Sequence, residues 1–109
     1  MTTERFNEIV EEQLERIRKT LVKKADEYNL EADRLGFFKR AATFANTTPE
    51  KALYGFLLKH LVSLNDMVTS GDKYSKELFL EKITDVENYL ILLLGLLEDD
   101  NMYKKVSKK

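Results

Sequence analysis

Tyr89-Leu90-Ile91-Leu92-Leu93-Leu94-Gly95-Leu96-Leu97 is the stretch that decides the fold. It carries no charge, and at nine residues it is well short of the about 20 needed to span a bilayer. Upstream, apolar residues continue at helical spacing. At 100° per residue, Phe79, Ile83, Val86, Leu90, Leu93 and Leu97 fall within about 40° of one direction. The opposite side carries Glu77, Glu81, Asp85 and Asn88, then turns apolar at Leu92 and Leu96. The spacing predicts one helix from about Ser75 to Asp99, amphipathic in its first half and apolar all round in its second. Such a segment must be covered on every side. A small bundle has few places to enclose it, so a homo-oligomer (dimer or tetramer) through Tyr89–Leu97 is expected, a twofold dimer being the commonest form. A central helix within the monomer is the alternative.

The rest of the chain also reads as helix. Thr3 to Tyr28 holds no Gly or Pro, and Phe6, Val10, Ile17, Leu21 and Tyr28 form a stripe flanked by Ile9 and Leu14. This predicts a helix about 38 Å long. Asn29 to Gly36 reads as a connection in which Asp33 can cap a short helix from about Leu35 to Ala45. Thr48-Pro49-Glu50 is a strong start signal: an N-cap, a proline at the first position and an acid at the positive end. The helix it opens runs to about Ser70, with Leu53, Leu57, Leu61, Leu64 and Val68 as its stripe, and Ser70-Gly71-Asp72 ends it. The fold class is therefore all-α: one helical domain over residues 1–100, built from three long helices and one short one. Residues 101–109 form a Lys-rich tail.

Composition narrows the chemistry. The chain has 109 residues, 18 Lys+Arg, 19 Asp+Glu, one His and no Cys. That excludes a disulfide scaffold, a cysteine-ligated metal and a thiol nucleophile. The formal net charge of −1 argues against a general nucleic-acid binder, for which only the tail speaks. The start, Met1 to Arg5, is polar and does not read as a signal peptide. A soluble cytoplasmic protein with no membrane partner is expected.

Glu77, Glu81 and Asp85 lie four apart, so they line one side of a helix, and Asn88 continues the row. Like charges in a row repel. Solvent, basic partners or a hard divalent cation can offset that. Without cysteine a metal here takes oxygen ligands, which favours Mg²⁺ or Mn²⁺. Lys59, Ser63 and Asp66 share a side of the preceding helix, where Lys59 can meet a phosphate. His60 is expected as a packed residue. Lys24 falls on the first helix's apolar stripe, and Arg34 can fork onto phosphate or carboxylate.

Three segments carry a family resemblance: Lys24-Ala25-Asp26-Glu27-Tyr28, Lys59-His60-Leu61-Val62-Ser63, and Glu81 through Asp85 and Asn88 to Tyr89. In this order, over roughly Leu21 to Leu97, they resemble the MazG-like branch of the all-α NTP pyrophosphatase superfamily, closest to phage and nucleotide-modification-associated members. The resemblance implies an oligomeric helical bundle that hydrolyses nucleoside triphosphates to monophosphate and pyrophosphate with Mg²⁺. It implies Glu81 and Asp85 as catalytic, metal-binding acids with Glu27 as a third. It places Asn88 and Tyr89 by the nucleotide, with Lys24, Arg34 and Lys59 toward the phosphates. Two departures stand beside it. Glu11-Glu12-Gln13-Leu14-Glu15 matches the E-E-x-x-E of the best-known members, but no E-x-x-D follows it. Glu81 and Asp85 are four apart, not three. A non-catalytic helical module that binds a nucleotide or a protein is the alternative.

Overall fold

The computed structural model describes residues 1–23 and 33–104. Its elements are α1 (Thr3–Ile17), a π-helical turn (Arg18–Lys23), α2 (Gly36–Ala45), α3 (Pro49–Thr69) and α4 (Lys76–Asp99), with no strand among the described residues. None of these helices is long and apolar enough to cross a membrane.

Local chemistry sets the boundaries. Thr2, Thr48 and Ser75 each accept a backbone N–H three residues on, from Arg5, Lys51 and Leu78 at 3.0, 3.3 and 3.1 Å. Each hydroxyl thereby satisfies an N–H that the first helical turn leaves without a partner. Asp33 Oδ1 accepts from the Leu35 N–H at 2.9 Å, a side-chain turn that leads into α2. Asn46 (φ 51°) and Gly71 (φ 81°) turn the chain out of α2 and α3 in the left-handed conformation that ends helices.

The long first helix departs from expectation. Its α hydrogen bonding runs to Ile17 and then widens into the π turn, so residues after Ile17 leave the face that 100° spacing assigns them. Thr20 sits in this turn, and its hydroxyl donates to the Arg16 carbonyl at 2.8 Å.

α3 packs along α4, α2 covers α3, and α1 crosses α4. The core joins Phe38, Leu53 and Leu96, flanked by Leu35, Phe56, Tyr89, Leu92 and Leu93. Phe38 meets Phe56 and Tyr89 edge-on, each at 6.2 Å between ring centres, an arrangement that aromatic quadrupoles favour. Lys39 Nζ donates to Asp33 Oδ2 and Asp99 Oδ2, both at 2.6 Å, pinning α2 to the end of α4.

Two faces point differently from the sequence reading. On α4 the core is met by Leu92 and Leu96, the side that continues the acid row, with Tyr89 and, from the stripe, Leu93 beside them. Ile83 and Leu90, at the centre of the regular apolar stripe, are 38% and 47% exposed. On α1 the stripe residues Phe6 and Val10 and the flanking Leu14 are exposed, and no residue of the helix is buried. α1 meets α4 through polar groups instead. Gln13 Nε2 donates to Thr84 Oγ1 (2.9 Å) and Glu87 Oε1 (2.8 Å), and Asn88 Nδ2 donates to Thr20 Oγ1 (2.8 Å). The apolar all-round stretch Tyr89–Leu97 is thus covered inside the monomer along one side only; Leu90, Ile91 and Leu94 remain exposed.

Candidate functional site

The polar crossing of α1 over α4 leaves an open groove of about 500 Å³. Glu77, Leu80, Glu81, Thr84 and Asp85 form its α4 wall; Arg16, Lys19 and Thr20 form the other. The acid row therefore lines the groove, with two cations on the opposite wall. Glu77, Glu81, Arg16 and Lys19 make no ion pair with a described residue. The walls are charged oppositely and not bonded to each other, so a ligand with both cationic and anionic parts can bridge them. Arg16 is oriented from behind, since its Nη1 donates to Gln13 Oε1 at 3.2 Å.

Asp85 also touches α3. His60 Nδ1 lies 3.7 Å from Asp85 Oδ2, and the His60 ring lies against Tyr89 at 5.1 Å and 33°. Burial pushes the Tyr89 phenol above its usual pKa, and the Asp85 charge adds to this. Tyr89 is therefore a neutral hydroxyl at the edge of the core. His60 is packed, as its position near the stripe implied, and its neighbour is a candidate metal ligand.

The expected site residues separate. Glu81 and Asp85 line one groove. Asn88 hydrogen-bonds Thr20, which lines the same groove, while its Oδ1 is buried without a partner. Tyr89 flanks the core. Lys59 is exposed on α3 and does not line the groove. Arg34 donates to the Leu21 carbonyl at 3.0 Å and so ties down the π turn. Lys24 and Glu27 lie outside the described residues. Arg16, Lys19 and Thr20 were not foreseen. Their only sequence signal is a polar strip on α1, which reads equally as a solvated face.

The donor set bears on Mg²⁺. Among the described residues no group of three or more His, Cys, Asp or Glu could hold a metal. Two carboxylates one turn apart in a groove do suit Mg²⁺, which keeps several waters and takes one or two carboxylates plus phosphate oxygens. The residues fit a water-rich site and not a closed protein cage.

No protein-family model matches the sequence, and neither a curated protein nor a solved structure matches it. The family resemblance therefore rests on its three motifs alone.

Proposed function

We propose that the α1–α4 groove binds a nucleoside triphosphate with Mg²⁺ (or Mn²⁺) and that the chain hydrolyses it to monophosphate and pyrophosphate. One observation carries this reading: Glu81 and Asp85 share a groove wall facing Arg16 and Lys19. A triphosphate–magnesium unit needs both kinds of wall. Arg16 and Lys19 hold phosphate oxygens, one as a fork and the other as a point charge. Glu81 and Asp85 hold the cation. When bound, Mg²⁺ neutralises phosphate charge and lowers the pKa of an attacking water. The volume suits a small ligand, and the Glu81–Tyr89 segment of the MazG-like resemblance supplies the acid wall. An activity on nucleoside triphosphates fits a cytoplasmic protein.

The test is pyrophosphate release from a panel of triphosphates with and without Mg²⁺. Release should require the metal and vanish in Glu81→Ala/Asp85→Ala with the helical circular dichroism unchanged. Undiminished release in the double variant would remove the proposal.

A second reading, a non-catalytic helical module for a protein partner, is favoured by the exposed side of α3, where Tyr54, Leu58, Leu61 and Val62 face outward. Partner binding with no metal-dependent nucleotide heat in calorimetry would select it. Under either reading the chain is a homo-oligomer, because the apolar faces outside its core need cover.

A further inference from the structure

The most regular apolar pattern in the sequence is one that the fold leaves only partly covered. Along α4, Lys76, Ile83, Leu90 and Leu97 recur every seven residues, and Phe79, Val86 and Leu93 recur every seven between them. This alternation of three and four is the seam of a coiled coil, and a seam of this kind packs against another helix. Ile83 and Leu90 are exposed, the other apolar members are partly exposed, and Ile91 and Leu94 add 40% and 57% exposed side chains beside them. At 100° per residue, Leu90 points opposite to Glu81, so the seam lies on the far side of α4 from the groove.

We propose that this seam is a homodimer interface, with α4 packed antiparallel on α4 of a second copy about a twofold axis level with residue 88. The proposal rests on the oligomeric reading above and specifies its face and register. A twofold interface must be complementary to itself, and this register meets that condition. It pairs Phe79 with Leu97, Ile83 with Leu93 and Val86 with Leu90 of the second copy, leaving no apolar seam residue unmatched. At each end it sets Lys76 opposite the exposed Asp100.

Sedimentation equilibrium on the full chain should give twice the 12.7 kDa monomer mass. Leu90→Glu should halve it with helical content unchanged, since residue 90 is already half-exposed. The chain has no cysteine of its own, so a second measurement stands even if Leu90→Glu unfolds. Under mild oxidation, a mixture of Val86→Cys and Leu90→Cys chains should link faster than either variant alone. A monomeric wild-type chain overturns both the seam and the oligomeric reading. An oligomer untouched by Leu90→Glu, or Leu90→Cys linking to itself as fast as the mixture, overturns the seam and leaves that reading standing.

Discussion

The side-chain amide of Asn88 donates to the Thr20 hydroxyl at 2.8 Å, and that hydroxyl donates onward to the Arg16 carbonyl at 2.8 Å. The chain of bonds joins α4 to the π turn beside the groove. Asn88 Oδ1 is already buried without a partner, so the amide nitrogen is the group's remaining tie. Thr20→Val keeps the shape and removes the acceptor. It should cost about 1–3 kcal/mol, the penalty for leaving a buried polar group unmade. Adding Asn88→Leu should recover most of that loss, because both polar partners are then gone. Urea unfolding of the two single variants and the double variant checks this. Additive losses would mean that the bond contributes nothing specific.

Lys39 bridges Asp33 and Asp99. The Lys39 hydrogen bond, aided by the Leu35 N–H, holds the Asp33 carboxyl below its ordinary pKa. A carboxyl with a lowered folded pKa adds stability above the ordinary carboxylate range and loses it as pH falls through the folded value. Lys39→Met should therefore melt at a lower temperature than wild type at neutral pH, with the gap closing in acid. All three side chains are substantially exposed, so salt should narrow the gap as well. Thermal melts across pH and salt read both effects.

These contacts mark where sequence reading succeeds and where it stops. Thr48, Pro49, Ser75 and Gly71 were legible as boundaries because a cap is local chemistry, decided within four residues. The direction in which α4 faces was not. Beyond Tyr89 the helix is apolar all round, so periodicity carries no bearing there. Before Tyr89, the inward positions Thr84 and Asn88 are polar and hydrogen-bond Gln13 and Thr20, some 70 residues away. Nothing at residue 84 announces that partner. The groove was half legible for the same reason. Glu81 and Asp85 form a row within one helix, whereas Arg16 and Lys19 join them only through the crossing angle of α1 and the π turn.

Glu50 sits in the first turn of α3 with its Oε1 buried and unpartnered. Burial, then the neighbouring Asp100 carboxyl, pushes its pKa up. A raised carboxyl pKa means that the protonated form suits the folded state. The stability tied to it is present at low pH and lost as pH rises through the folded value. Glu50→Gln mimics the protonated form and should raise the melting temperature at pH 7. Loss of the favourable charge at the α3 N-terminus works against this, so the gain should be small, about 2–4 °C or roughly 0.5 kcal/mol. The gain should shrink as pH falls through the raised folded value and disappear in acid, where Glu50 itself is protonated. A gain of equal size at pH 7 and in acid would refute the linkage.

Lys19 gives the sharpest test of the groove. It makes no hydrogen bond or ion pair with a described residue, so removing it disturbs little of the fold. Arg16, by contrast, is held by Gln13. If the groove takes phosphates, Lys19→Ala should weaken binding of a non-hydrolysable triphosphate about tenfold, as loss of one charged contact of about 1.4 kcal/mol predicts. Raised salt should lessen the difference. Lys19→Arg should retain most of the affinity, since the charge remains within reach. Glu81→Gln should act on the other half of the ligand, weakening binding in Mg²⁺ and leaving the metal-free affinity unchanged or improved, because one repulsive carboxylate is gone. The two variants should therefore separate in a titration run with and without metal. If Lys19→Ala binds as wild type in both conditions, the phosphate wall has been misplaced. The cations across the groove from Glu81 and Asp85 would then be surface charges only.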